Sequence, residues 1–139
     1  MAELADITPG LSATVQHQVD ESSTASHKFS GSVDVLATPE LVRLMEQAAV
    51  TALVDRLPPG ATTVGAVINV QHLAPTPEGL GVEVRATLTG VEGRRLTFDI
   101  VARDDVEDIG RATHERVVVD EVKFMAGANQ KLIAEAPNL

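Results

Sequence analysis

The sequence predicts an α+β domain in which one curved antiparallel sheet wraps a single buried helix. Three observations carry this. A long apolar run from Leu41 to Val54 follows a cluster of helix-start signals. After it, successive segments alternate apolar and polar residues with a period of two. Short turn segments separate them, the pattern of an antiparallel meander with one face on the core.

In chain order, residues 1–10 read as a loose arm ending at Pro9-Gly10. Residues 11–19 set Leu11, Ala13 and Val15 against Ser12, Thr14 and Gln16, which predicts a strand. Residues 20–32 are Ser-rich and poor in large apolar groups, a loop suited to covering a site. The helix starts at Thr38, whose hydroxyl suits an N-cap. Pro39 fits the first helical position and Glu40 complements the positive end of the helix dipole. Apolar residues cover most of the circumference to about Leu57, so the helix is expected to be largely buried, and Pro58-Pro59-Gly60 stops it. Residues 64–73 put Val64, Ala66, Ile68, Val70 and His72 on one strand face. Strands over 80–89 and 94–103 are joined by a hairpin connection from Gly90 to Gly93. The acidic turn Asp104 to Asp108 leads to a last strand, about 109–120. The tail reads as a short helix over about 122–134, frayed from Ala134 onward.

With 139 residues and no internal repeat, the chain is expected to form a single domain over 1–139. Aromatic residues are three Phe with no Trp or Tyr, so the core must be aliphatic, and base stacking on aromatic platforms is nearly excluded. Lys and Arg number 11 against 20 Asp and Glu, a net charge of −9 that repels nucleic acid and anionic membranes as partners. The lack of Cys excludes disulfides and thiolate nucleophiles. No apolar run is long enough to span a membrane and the acidic N-terminus is not a secretory signal, so a cytoplasmic location is expected.

Glu46 is the oddest residue, because its helical neighbours are Val42, Ala49 and Val50. A carboxylate on an apolar stripe is costly unless paired or functional, and desolvation would favour its neutral form. It reads as a general base or nucleophile, or as a surface group paired with Arg43. His72, in register with Ile68 and Val70, reads as a proton-transfer group or as a core-edge histidine bonded to backbone. Thr38 alone needs no role beyond capping. Gly65 either lets a ligand carbonyl approach the backbone N–H or marks a bulge. Arg94, Arg95, Arg111 and Arg116 are either anion-binding groups or solvated strand residues paired with Glu92, Asp99 or Glu115. His114 is left as an edge or a site residue. The four His lack metal-ligand spacing, and no G-x-S-x-G, G-x-G-x-x-G or P-loop pattern occurs, so no metal or cofactor is expected.

The stretches Leu36-Ala37-Thr38-Pro39, Leu44-Met45-Glu46 and Val70-Gln71-His72-Leu73-Ala74-Pro75-Thr76-Pro77-Glu78-Gly79 resemble the fluoroacetyl-CoA thioesterase-like branch of the hotdog superfamily. Val91-Glu92-Gly93-Arg94-Arg95-Leu96 and Thr113-His114-Glu115-Arg116 look like the same family, and together the resemblance covers roughly 33–125. It implies the hotdog fold, a homodimer with pockets at the subunit interface, and an acyl-CoA substrate. By motif it assigns catalytic roles to Thr38, Glu46 and His72, thioester-carbonyl binding to Gly65, and a substrate-binding role to Arg116. The fluoroacetate-specialised member carries bulky aromatic residues as a lid before the helix. Here that stretch is Ser30-Gly31-Ser32-Val33-Asp34, with only Phe29 nearby.

The resulting expectation is hydrolysis of an acyl-CoA thioester to a carboxylic acid and free coenzyme A. Glu46 activates water or attacks directly, and His72 moves protons. The alternative is a non-catalytic acyl-CoA binding dimer, which would keep the pocket without turnover.

Overall fold

The computed structural model describes residues 4–135. Strand β1 (Ser12–Gln18) is followed by a single 3-10 turn at Glu21–Ser23 and a loop. Helix α1 (Thr38–Ala52) comes next, then β2 (Ala61–His72), β3 (Gly81–Glu92), β4 (Arg95–Asp104), β5 (Asp108–Asp120) and helix α2 (Glu121–Glu135). The strands form one antiparallel sheet in the order β1-β3-β4-β5-β2, so β1 and β2 are its edges.

Period-two alternation builds the core as expected. Val82, Val84, Ala86 and Leu88 of β3 and Leu96, Phe98, Ile100 and Ala102 of β4 all face inward and are buried. Against them α1 lays Leu41, Leu44, Met45, Ala48, Ala49 and Ala52. Burying each of the larger side chains contributes about 1.5–3 kcal/mol. The small Ala48 and Ala49 let the helix sit close on the sheet, chiefly over β1 and β3. Helix α1 is not buried around its whole circumference, since Val50 is exposed.

Four expectations are corrected. The N-terminal arm is docked where it is described: Ile7 lies in the core and the Gly10 N–H donates to the Leu88 carbonyl. Helix α1 ends at Ala52 rather than near Leu57, because the chain tightens into successive short turns and Asp55 takes a positive φ of 63°. The β3–β4 connection is a two-residue turn at Gly93-Arg94, with Gly93 at φ 60°. Gly90 belongs to β3, beside a shift in register.

The fourth correction bears on the site. The β2–β5 register shifts between Gly65 and Val67. Before the shift Thr63 pairs with Val118 and Gly65 with Arg116; after it Ile68 pairs with His114 and His72 with Gly110. Directly paired residues share a face. Thr63 and Gly65 therefore face the core side with Ile68, Val70 and His72, whereas Val64 and Ala66 do not. The bulge is the structural meaning of Gly65 that the sequence left open.

Helix α2 leaves the end of β5 with its side chains in solvent, Val122 and Leu132 among them. Residue 134, expected to begin a frayed end, is still helical, as is 135; positions 136–139 lie outside the described residues. Among the described residues no helix is long and apolar enough to cross a membrane.

Candidate active site

Thr38 is the first residue of α1, and Ala37, not Thr38, is the N-cap. The Ala37 carbonyl takes the Leu41 N–H at 3.0 Å, and no side chain caps this end. The threonine hydroxyl is therefore not used for capping. It lies 2.8 Å from Nδ1 of His72, at the last position of β2. His72 Nε2 is shielded from water and has no hydrogen-bond partner among the described residues. A buried polar atom of this kind is costly unless something satisfies it. Burial also lowers the His72 pKa below the ordinary histidine value, because the charged ring is poorly solvated there.

A cleft of about 330 Å³ opens over this pair, lined among others by Ala25, Val33, Leu36, Thr38, His72 and Pro75. The Ser-rich loop thus flanks the candidate residues. Its one Phe, Phe29, does not line the cleft and is 98% exposed. Lys28 of the same loop lies 3.7 Å from Glu40, in the first turn of α1. Glu40 is buried and is also gripped by Arg43. Burial opposes its charge, but the Arg43 hydrogen bond and the Arg43 and Lys28 charges outweigh that and hold its pKa below the usual range. Three larger depressions lie near Gln16 and Asp105, near Asn69 and Arg111, and near His27 and Asp34; none is lined by a candidate catalytic residue.

Glu46 lies two helical turns beyond Thr38, about 12 Å along the axis. It is not the isolated desolvated carboxylate expected from its apolar neighbours. Its side chain is 43% exposed, and Oε2 accepts a hydrogen bond from Arg116 Nη1 at 3.1 Å. The pairing with Arg43 weighed from the sequence does not form, since Arg43 turns to Glu40 and Gln47. Arg116 is buried, its side chain only 8% exposed. Nε donates to the Thr63 hydroxyl at 2.9 Å and Nη2 to the Thr63 carbonyl at 3.1 Å. Nη1 also points at His114 Nε2, 3.2 Å away. With most of its five N–H groups turned inward, Arg116 is built as the counter-ion of Glu46. Arg95, by contrast, is a surface residue paired with Glu115.

Gly65 supplies the space. A Cβ there would stand 2.7 Å from Glu46 Oε2 and 3.3 Å from Arg116 Nη1. The sequence candidates therefore fall into two groups within one chain. Thr38 and His72 meet at the start of α1. Glu46, Gly65 and Arg116 meet seven residues back along β2, and no hydrogen bond joins Glu46 to His72.

Sequence reasoning missed Thr63 and left His114 undecided. The signal for His114 was present: His114 and Arg116 sit on one stripe of β5 between Ala112 and Val118, a polar pair in an apolar series. Thr63 was hidden because the bulge reverses which residues of β2 face inward.

Known proteins share this chain's sequence pattern and its fold. Residues 19–122 match the family model described as "Fluoroacetyl-CoA-specific thioesterase". The fluoroacetyl-CoA thioesterase of Streptantibioticus cattleyicolor is 45% identical over 118 residues, covering 85% of this chain and 82% of that protein. A solved structure of a fluoroacetyl-CoA thioesterase superposes with a TM-score of 0.84 at 40% identity, over 90% of this chain and 97% of the other. A Thermus thermophilus thioesterase superfamily member superposes with a TM-score of 0.85 at 28% identity, over 94% and 97%. The chain belongs to the fluoroacetyl-CoA-specific thioesterase family and is a thioester hydrolase with the hotdog fold.

Proposed function

We propose that the hydrolysis of an acyl-CoA thioester by this chain is carried out by a site shared between two copies of it. In this reading Glu46, Gly65 and Arg116 of one protomer face Thr38 and His72 of its partner. The observation that carries it is the division into two half-sites along β2, an edge strand with no second neighbour among the described residues. Gly65 and His72 lie seven residues apart on that strand. Antiparallel pairing of β2 with its own copy, about a twofold axis at Asn69 and with residue 66 taken up by the bulge, sets Gly65 of one chain across from His72 of the other. The same pairing covers an edge that would otherwise expose free backbone groups.

The chemistry then follows from the groups. The Gly65 N–H donates to the thioester oxygen as it becomes an oxyanion. Arg116 holds one oxygen of Glu46 and leaves Oε1 to act on the acyl carbon, through water or directly. His72, neutral at pH 7 and oriented by Thr38, exchanges protons at Nε2 and delivers one to the departing thiolate. The products are the carboxylic acid and free coenzyme A. The reading includes a homodimer acting in the cytoplasm on a small or medium acyl group. The lid-forming stretch before α1 has no inward aromatic group, which argues against specialisation for fluoroacetyl.

Mixed dimers test the shared site. Glu46→Gln and His72→Ala homodimers should each lose about 100-fold or more in kcat. When the two variant chains are co-expressed and half the dimers are mixed, each mixed dimer has one intact site, so thiol release should recover to about a quarter of wild type. A mixture no more active than its parents rules out the shared arrangement. Thiol release from wild type over acyl-CoAs of graded length tests the hydrolase against the non-catalytic binding dimer.

A further inference from the structure

The hydrolytic step above gives no task to His114, yet this ring is among the most deeply buried polar groups of the chain, 1% exposed. We propose that His114 is a positioning residue. As a neutral ring carrying its proton on Nδ1, it joins the β2 bulge to the Arg116 guanidinium, so that the Gly65 N–H and the Glu46 carboxylate face the same thioester. This rests on the reading that assigns Glu46 and Gly65 to the reaction.

The two neighbours of the ring define its state. The Val67 carbonyl oxygen, 2.7 Å from Nδ1, can only accept, so Nδ1 must donate. Arg116 Nη1, 3.2 Å from Nε2, can only donate, so Nε2 must accept. A neutral Nδ1–H imidazole satisfies both, whereas an imidazolium would turn an N–H toward the guanidinium. Burial pushes the His114 pKa down and the Arg116 charge adds to this, against the smaller opposing pull of the Val67 carbonyl and Glu46.

Position does the rest. Val67 is the first residue after the register shift and Gly65 the last before it, so the bond to Val67 pins the bulge that aims the Gly65 backbone. Nη1 of Arg116 divides its two N–H groups between His114 and Glu46. The space left by the missing Gly65 side chain is bounded by Glu46 Oε2, Arg116 Nη1 and His114 Cε1. Three side chains from two elements thus converge on one backbone atom. A ring needed only for packing would be served by an apolar residue, as at Ala112 and Val118 on the same stripe.

The test uses the full-length protein with two variants and one spectroscopic readout. His114→Gln keeps an acceptor near the Nε2 position; His114→Phe keeps the ring and removes both hydrogen bonds. Expected is a kcat within about fivefold of wild type for His114→Gln and a loss of about 10- to 100-fold for His114→Phe, with KM changed less than about twofold in both. Wild-type kcat in His114→Phe, or equal losses in the two variants, would overturn the proposal. If His114→Phe does not fold, His114→Gln decides alone: a loss beyond about 10-fold counts against the role and retention supports it. Nitrogen-15 NMR of labelled histidine at pH 7 should show His114 protonated at Nδ1 only; the other tautomer or an imidazolium would refute it. Should wild type release no thiol from any acyl-CoA, the enzymatic reading fails, while the NMR result still judges the hydrogen-bond geometry on its own.

Discussion

Replacing Gly65 by alanine separates the chemistry of this site from its stability. The added Cβ would stand 2.7 Å from Glu46 Oε2, closer than real contacts allow, and 3.5 Å from His114 Cε1, which is ordinary contact. The carboxylate oxygen must withdraw by roughly 0.7 Å to reach van der Waals separation. It is the free end of a flexible, half-exposed side chain, so the backbone has no reason to move. Gly65 does not have a positive φ, and alanine there restricts the unfolded chain more than glycine does. Stability should therefore change little, the gain of up to about 1 kcal/mol being offset by the weakened pair between half-exposed Glu46 and buried Arg116. Turnover should behave differently. A displacement approaching 1 Å in a reacting group costs about 100-fold in rate, and the 3.1 Å ion pair to Arg116 that orients Glu46 is lost with it. Thiol release under saturating acyl-CoA, beside thermal melting of the same preparation, reads both quantities. Full activity in Gly65→Ala would show that Glu46 is not held against Gly65 in the working enzyme. A large fall in melting temperature would show that the strand, not the carboxylate, gave way.

Three further predictions concern protons and the segment beside His72. Because burial lowers the His72 pKa, the ring is still mostly neutral at pH about 6.5, where free histidine is half charged. kcat/KM should hold its plateau through that pH and fall only below it; an acid limb centred at or above about 6.5 contradicts the assignment. The lowered values of His72 and His114 also bear on stability. The unfolded chain takes up these protons first, so their contribution is complete above pH about 6.5 and is lost as pH falls toward the lowered folded-state values. Melting temperatures at graded pH check the sign. Asp104 accepts the Thr76 hydroxyl at 2.8 Å and the Val106 and Glu107 N–H groups, tying the β4–β5 turn to the segment after His72. Asp104→Ala leaves the buried Thr76 hydroxyl without its acceptor and should cost about 2–4 kcal/mol in urea unfolding. Asp104→Asn should cost less, since its amide can donate to Thr76; equal stability of wild type and the alanine variant would refute the role.

Much of the fold is legible along the chain. The apolar run from Leu41 to Val54, preceded by Pro39 and Glu40, marks the helix. The alternation in 80–89, 94–103 and 109–120 marks β3, β4 and β5, because each of these strands has one face on the core. Legibility fails where a local rule meets a distant partner. Thr38 reads as a cap because capping is a local interaction, but its hydroxyl is taken by His72, 34 residues away. Glu46 reads as a lone carboxylate because its helical neighbours are apolar, but Arg116, 70 residues away, supplies its counter-charge. The inward stripe of β2 reads incorrectly before residue 67 because period-two alternation holds only while register is unbroken, and one extra residue reverses the faces.

By itself, then, the sequence determined the class of fold and singled out the candidate reactive groups. Hydrophobic periodicity is written residue by residue, and an out-of-place Glu, His or Gly can be recognised in its immediate surroundings. Only the tertiary structure decided which of those groups share a point in space. Hydrophobic burial is non-directional and sets which faces close on one another, but hydrogen bonds and ion pairs require particular atoms at about 3 Å. That spacing depends on strand register, on the bulge at Gly65 and on how α1 sits on the sheet, none of which any short window of sequence contains.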